Sequence, residues 1–571
     1  MPAMRGDRAT VTAGLAVAAA VLVAGCRCVG GEAESRIELP PGRPCDCAGH
    51  PLAGRLARLA GEARVTEAGP ARRGGRLVVH IDAEPPHLNP LVRSDAWMRR
   101  IVGHAVFEAL VRPDPWTREI VPELAERFEV AEDGRLYRFH LRPGVRFHDG
   151  TPLTAADVEF TFDRLFDPSV TADSLRGDLE MVRSVRATGP LEVELRTDRP
   201  YFLLLETIGF VPILPRHVYA TGDLNSHPAN RAPVGTGPWR FAEWTTGDRI
   251  VLRRNPDWWG PAPPLEEVQF RVVRDRTVAF QMARRGDIDL LPRVTADQLE
   301  EYLADEGLVE RFAPVLLETP DYAFWAYNTR RPPFTDARVR RAVTMLIDRE
   351  AVRCSLERCL SRVVSQPWPP GHPAHDPALA PLPYDPAAAR GLLAEAGWTD
   401  HDGDGWLDRA GVPFAFTFLV AAQSRTLQQM ATIVQQDLAA AGLRMEIAVL
   451  DWSVFSERCR KHDFDVASVM WSLRWENDYH GVFHTDGAQN YGQWSDPRAD
   501  RLVEQARSVL DDDRRNAMFR ELAGIVHEQQ PYAFTFSPLQ VSLVRRELVG
   551  ARPSLEWFQL AAMGWRAEAA P

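Results

Sequence analysis

Along most of the chain, apolar residues recur either at every second position or at every third to fourth, and the two patterns alternate irregularly. The first period marks strands and the second marks amphipathic helices. Strands are expected at RLVVHI (76–81), LEVELRT (191–197), WRFAEWTTGDRIVLRRN (239–255), VQFRVV (268–273), FAFTFLVAAQ, RMEIAVLDW and DFDVASVMWSL. RLYRFHLRPGVRF (135–147) also alternates, and Pro143–Gly144 gives it the signature of a hairpin turn. Helical periodicity appears in GRLARLAGEARV (54–65), RRIVGHAVFEALV (99–111), residues 275–289, 336–360 and 385–398, and TLQQMATIVQQDLAAAGL. It also appears in one long run from Pro497 to Gln530. TAADVEFTFDRLF starts with Thr154 as N-cap and Asp157 at the third helical position, and Val158, Phe162 and Leu165 share a face. Irregular alternation of this kind predicts an α/β chain with mixed sheets.

Length and composition set the scale. With 571 residues, 45% hydrophobic and 25% charged, the chain is ordinary globular protein with room for two to four domains. The formal net charge of −11 is spread along the sequence, which argues against a nucleic-acid partner needing a basic face. Beyond the N-terminus no apolar run is long enough to span a bilayer.

The N-terminus carries an address. Arg5 and Arg8 precede the apolar run Val11–Gly25, which ends in LVAGC. Small residues just before Cys26 resemble a bacterial lipobox, in which Cys26 is lipidated and becomes the first residue; the other reading is a plain secretory signal cut elsewhere. Removal of residues 1–25 takes away two arginines and one aspartate, so the net charge moves from −11 to −12. The expected membrane anchor is therefore lipid rather than a basic surface. Residues 26–73, rich in Gly, Ala, Pro and Arg, read as a tether.

An exported chain meets an oxidising compartment, so its seven cysteines bear on its chemistry. Cys354 and Cys359 are close enough to close a small local loop. Cys28 has Cys45 or Cys47 as possible partners, and two CxC pairs leave zinc as an alternative. Cys459 reads as a free thiol. Asp400, Asp402, Asp404 and Asp408 surround Gly405 like the first half of a calcium loop, but the twelfth position is Gly411 where Glu is required. Calcium and a plain acidic turn both remain open. No HExxH, GxSxG or P-loop pattern occurs, so the chain does not read as an enzyme. His148–Asp149, in GVRFHDGTPLTAADVEFTFDRL, invites a catalytic reading. Adjacent residues at a strand end point to opposite faces, so the pair reads as punctuation between a turn and a capped helix.

A longer series of motifs resembles one family. FEALVRPDPWTREIVPELAERFEVAEDGRLYRFHLRPGVRFHDGTPLTAADVEFTFDRL is followed in order by VGTGPWRFAEW, RRNPDWWG, RRGDIDLL, YNTRRPPFTDARVRRAVTMLIDR, AARGLLAEAGW, DFDVASVMW and NYGQWSDPRADRLVEQAR. This series is similar to the extracytoplasmic solute-binding proteins of the large peptide/nickel class, family 5, of ABC transporters. The resemblance implies a bilobed periplasmic-binding-protein-like fold (type II, cluster C) with an extra inserted domain. Lobe I would comprise 74–113, 211–320 and 536–571, with 114–210 inserted, and lobe II would be 321–535. Such a protein holds a small solute between its lobes, as a monomer needing no cofactor, and delivers it to an import permease; a lipoprotein that senses solute or scaffolds without feeding a transporter is the other reading.

The resemblance also implies site residues. FWAYN would cross between the lobes, so Trp325 and Tyr327 are candidates to line the cleft, with plain core packing as the other reading. Gly235 and Gly237, flanking Thr236, permit close backbone approach to a ligand. Peptide-binding relatives carry an aspartate three residues after the tryptophan corresponding to Trp471, which pairs with the peptide's ammonium group. Here Ser472 and Leu473 lead to Arg474, which repels an ammonium. Arg474 is therefore expected to hold a carboxylate, with Trp475 as a stacking face and Glu476 nearby, or to pair with Glu476 at the surface. The expected ligand is a peptide or an anionic, peptide-like compound.

Overall fold

The computed structural model describes residues 51–62, 71–92, 95–552, 554 and 557–566, all of which belong to one compact unit. The signal sequence, Cys26, Cys28, Cys45 and Cys47 lie outside the described residues. Among the described residues no helix is long and apolar enough to cross a membrane.

Two large mixed sheets organise the molecule. In the first, strands follow the order Phe312–Glu318, Phe536–Arg545, Leu290–Leu291, Arg76–Ile81, Glu267–Val272, Arg249–Arg254, Trp239–Thr245, and Ser361–Val363 pairs with the long second strand. Arg76–Ile81 runs parallel to Glu267–Val272 in the middle, and hairpins and returning strands add antiparallel pairs outside it. The second sheet has the order Arg444–Leu450, Ala415–Ala421, Val466–Trp471, Tyr322–Tyr327, Tyr532–Phe534. A third sheet, antiparallel and four-stranded, is built from Ala125–Val130, Leu136–Leu141, Glu192–Thr197 and Val182–Gly189. We refer to the assemblies on the first and second sheets as lobe I and lobe II.

Apolar periodicity explains which faces are covered. Leu77, Val79 and Ile81 join Tyr137, Phe139, Val193 and Leu195 in one continuous core, so the four-stranded sheet packs on lobe I without a gap. A shared dry core of this kind moves as one body. In lobe II every residue of Tyr322–Tyr327 is buried. Ala323, Trp325 and Tyr327 enter one core, while Tyr322, Phe324 and Ala326 enter another on the opposite face. A central strand covered on both sides reads as a continuous hydrophobic run.

Three sequence expectations need correction. The helix expected over residues 99–111 is confined to Ala96–Val102. Beyond it the backbone bonds across the chain instead: Gly237 and Trp239 donate to the carbonyls of Val106 and Ala105, and Leu124 and Ala125 donate to those of Ala109 and Leu110. Leu136–Leu141 does not fold onto residues 145–147; it pairs with Ala125–Val130 and Glu192–Thr197, and Phe147 to Thr151 closes a tight turn. The long C-terminal helix is two, Pro497–Ala506 and Asp512–Gln529, because the Asp511 side chain accepts from Arg514 N–H at 2.8 Å and starts a new helix. The capped helix Ala155–Phe166 is as expected: the Thr154 N–H and hydroxyl both donate to the Asp157 carboxylate, at 2.9 and 2.8 Å. Cys354 and Cys359 are disulfide-bonded, and Cys459 is a buried free thiol.

Candidate ligand cleft at the crossing of the two lobes

The chain passes from lobe I to lobe II through Thr319–Asp321, between the strands Phe312–Glu318 and Tyr322–Tyr327. It returns through Thr535, between Tyr532–Phe534 and Phe536–Arg545. The two crossings lie side by side: Thr535 N–H and hydroxyl donate to Ala323 O at 2.9 and 2.8 Å, and the Ser537 hydroxyl donates to Thr319 O at 3.3 Å. Ser361–Val363 makes a further passage beside them, pairing with Phe536–Pro538. Short, mutually bonded connections between two cores are the geometry of a hinge.

A pocket of about 110 Å³ lies at this crossing and takes its walls from both lobes. Arg100, Arg293, Gln540 and Trp557 come from the lobe I side, Ser472 and Leu473 from lobe II, and Asp321 from the crossing itself. Asp321 Oδ1 accepts from Leu473 N–H at 3.1 Å and Oδ2 from the Thr319 hydroxyl at 3.0 Å, which fixes the carboxylate at the mouth of lobe II. A larger hollow of about 1400 Å³ lies elsewhere, on the lobe I sheet face opposite the shared core. Many of its charges are neutralised locally, as in Arg249 with Glu243 at 2.9 Å and Arg545 with Glu547 at 3.1 Å. It touches one lobe alone, so the smaller pocket is the better candidate for a site closed by hinge motion.

Above the hinge, the four-stranded domain also meets lobe II. The Tyr201 hydroxyl donates to Asp478 at 3.2 Å, and Arg507 Nε lies 2.8 Å from the same carboxylate. Phe202 N–H donates to Arg507 O at 3.0 Å, and the Phe202 ring packs edge-on against Phe519. Arg474 takes part here. Its guanidinium sits 4.7 Å over the Phe210 ring and 3.8 Å from Asp178, and its backbone is fixed by Asn477. Burial raises the Asp178 carboxyl, the Arg474 charge opposes that rise, and Asp478 adds to it.

The expected site residues separate into groups. Ser472 lines the pocket. Arg474 does not pair with Glu476; Glu476 lies 3.4 Å from His372, whose ring also packs against Trp475 at 5.0 Å. Trp471 packs between Phe324 and Tyr491. Trp325 and Tyr327 point into the lobe II core, Trp325 against Phe418 at 4.4 Å and the Tyr327 hydroxyl against Thr344 at 3.1 Å, and neither reaches the pocket. Gly235 and Gly237 do permit a close approach, but to protein backbone: a Cβ at Gly235 would lie 1.9 Å from Val106 O, and one at Gly237 2.4 Å from Ala105 O. Thr236 is buried between them. Asp400, Asp402 and Asp404 cluster with carboxylate oxygens within 4.8 Å of one another, whereas Asp408 turns to His401, 3.1 Å from its N–H. The Asp400 oxygens accept from Gly403 and Gly405 N–H, and Arg444 lies 3.2 Å from Asp404, which is the bonding of an acidic turn.

Sequence reasoning missed Arg100, Arg293, Asp321 and Trp557. Periodicity marks faces within an element, and of these residues only Arg100 lies on one, while the other three come from connecting segments brought together by the crossing.

Residues 119–493, more than half of the chain, match the model of the bacterial extracellular solute-binding proteins, family 5. The chain belongs to this family. Among its relatives, the oligopeptide-binding protein AppA of Bacillus subtilis is 29% identical over 490 residues, covering 82% of this chain and 88% of AppA. A di/tripeptide-binding protein of Pseudomonas aeruginosa is 26% identical over 508 residues, covering 84% and 92%. The solved structure of Bacillus subtilis AppA with a nonapeptide superimposes with a TM-score of 0.70 at 27% identity, covering 87% of this chain and all of that one. NikA of Brucella suis, solved with Fe(III)-EDTA, gives a TM-score of 0.76 at 23% identity, covering 86% and 100%, and supports the fold alone. The family's bilobed architecture agrees with the two sheets and paired crossings described above, and its members are extracytoplasmic.

Proposed function

We propose that this protein captures a short peptide or an anionic, peptide-like compound between its lobes and delivers it to an ABC import permease. The observation that carries the reading is the pocket at the double crossing, where both lobes and the hinge contribute polar side chains to one small volume. Peptide-binding relatives that span most of the chain support the ligand class. In this reading the lobes are 74–113 with 211–320 and 536–571, carrying the inserted 114–210, and 321–535. The mature protein is a monomer held at the membrane by a lipid on Cys26.

Delivery without turnover requires binding and closure but no nucleophile–base pair. His148, the residue nearest to a catalytic appearance, is committed to backbone partners on both ring nitrogens. The direct test is mass spectrometry of solute released by denaturing the freshly purified full chain, followed by titration of the identified compound. Saturable binding with a smaller radius of gyration, and the same compound recovered intact, would support the reading. Chemical conversion of the compound, or no compaction on saturation, would refute it.

A further inference from the structure

Ser361–Val363 reaches the crossing by a detour through lobe I. The helix Arg349–Ser355 that precedes it belongs to lobe II, where Val352 joins the core with Leu346 and Leu393. Leu360 instead enters the lobe I cluster of Leu299, Leu303, Val541 and Leu543. From there the chain runs back along the returning strand: Leu539 N–H donates to Leu360 O at 2.9 Å, and Val364 N–H donates to Thr535 O at 3.3 Å. Residues 356–360 are thus a knuckle of lobe II seated in lobe I. Within it, the Arg358 guanidinium lies 3.0 Å from Asp297 and 2.7 Å from Glu300, both on the lobe I helix Ala296–Ala304.

The backbone of the knuckle does not keep this shape by local preference. Arg358 and Cys359 both have positive φ, 46° and 62°, a left-handed conformation that residues with a Cβ adopt at a cost. Two such residues in succession persist only where their surroundings hold them. Cys359 N–H donates to Arg353 O at 3.0 Å, and the Cys354–Cys359 disulfide closes the ring of residues 354–359 across the same turn. The crosslink therefore ties the last turn of a lobe II helix to the residue that leads Leu360 into lobe I. It acts by removing the alternative arrangements that an open loop would sample. The ion pairs are a weaker hold, because the Arg358 side chain is 33% exposed and both carboxylates more so, and solvent screens them.

We infer that the Cys354–Cys359 loop is a redox-set restraint on the hinge: oxidised, it seats Leu360 and Arg358 in lobe I and limits the separation of the lobes, and reduced, it lets them part further. The restraint needs only that the lobes move about this crossing, whatever the solute. Its co-reactant is a dithiol. One thiolate of the reductant attacks Cys354 Sγ, since Cys354 is partly exposed whereas Cys359 is buried. The Cys354–Cys359 bond breaks, and Cys359 leaves as a thiolate and takes up a proton. The second thiol of the reductant then displaces Cys354 from the mixed disulfide. Two electrons and two protons pass to the protein, and the reductant becomes a disulfide. Freed of the crosslink, residues 358–359 return to right-handed backbone, which withdraws Arg358 from Asp297 and Glu300.

The test uses the dialysed, solute-free full chain before and after treatment with dithiothreitol, with alkylation of Cys354 and Cys359 read by mass spectrometry of their fragments. Reduction is expected to speed hydrogen exchange about tenfold or more in the fragments that carry Val364 and Leu539. The radius of gyration should grow, while Val466–Trp471, inside lobe II, exchanges as before. Cys354→Ser combined with Cys359→Ser should match reduced wild type. Arg358→Ala keeps the disulfide and removes the ion pairs, so it should raise exchange in the same fragments only about twofold to fivefold. It stays informative if the cysteine variant does not fold, and no change at all would take the arginine out of the restraint. Cysteines 354 and 359 that resist the dithiol in the folded chain overturn the redox setting. Reduction that leaves the radius and the Val364 and Leu539 fragments unchanged makes the disulfide a local staple and overturns the restraint. Faster exchange in Val466–Trp471 as well means lost folding instead of a freed hinge, and overturns it too. None of these outcomes touches solute capture, whose own failure is read from the released solute.

Discussion

His148 holds Gly237 from behind: its Nε2 lies 3.0 Å from Gly237 O, while Nδ1 accepts from Gly235 N–H at 3.2 Å. The His148 N–H also donates to Gly235 O at 2.8 Å. An acceptor at Nδ1 and a donor at Nε2 define one neutral tautomer. The imidazole thus fastens the VGTGPW loop, whose glycines let it lie against residues 105–107.

Burial pushes the His148 pKa down to about 4 from an ordinary 6.5, against the Gly237 bond that raises it. A depressed histidine leaves stability intact above pH 6.5. As pH falls from 6.5 to 4 the unfolded chain takes up the proton first, and up to about 3 kcal/mol is lost. His148→Ala should cost about 2 kcal/mol at pH 7 through its lost hydrogen bonds. The gap to wild type should narrow by pH 4.5, and ligand affinity should stay within about threefold. Denaturant midpoints at the two pH values check this; a constant gap would show that the imidazole is not held neutral.

The contact of Tyr201 and Arg507 with Asp478 joins the side of the four-stranded sheet to lobe II. Tyr201→Phe keeps the ring and removes one cross-lobe hydrogen bond, worth about 1 kcal/mol. If that bond favours the closed arrangement, apparent affinity should fall about fivefold, since only the competent fraction binds. Small-angle scattering of the ligand-free variant should give a larger radius of gyration than wild type. Unchanged affinity and scattering would mean that the contact does not bias closure.

Much of this architecture was legible because burial on both faces leaves a simple mark. FAFTFLVAAQ and DFDVASVMWSL are largely apolar, and the structure makes them the interior strands Ala415–Ala421 and Val466–Trp471 of lobe II. The Thr154–Asp157 pair likewise announced its helix start. The site was far less legible. Residues 99–111 carry a helical period, yet their second half spends its backbone bonds on the VGTGPW loop and on residues 124–125, partners remote in sequence. Arg474 has an acidic neighbour at Glu476, but the fold brings Asp178 to it. Pairing across domains leaves no spacing to read.

The place of Tyr327 in the lobe II core makes a sharp distinction. Its hydroxyl meets Thr344 at 3.1 Å and its ring stacks on Phe334 at 5.0 Å. Tyr327→Phe should cost about 1 kcal/mol of stability and leave ligand affinity unchanged. Affinity lost without a change in melting temperature would return this residue to the cleft.

Arg474 is the final case, because two roles predict different numbers. Its side chain is 37% exposed, so its 3.8 Å approach to Asp178 is screened, and stacking over Phe210 adds a modest cation–π term. Acting as a cross-cleft contact, it should contribute about 1 kcal/mol to closure, and Arg474→Ala should weaken binding about fivefold. Acting as a direct partner of a ligand carboxylate, it would cost about 2–5 kcal/mol. The charge swap separates the two. Arg474→Asp should be worse than Arg474→Ala, because its carboxylate faces Asp178, and adding Asp178→Arg should restore much of the loss. Calorimetric titration of these variants and of Asp178→Arg alone against the co-purified solute gives the cycle. A loss near the upper range with no rescue from position 178 would mean that the guanidinium holds the ligand itself.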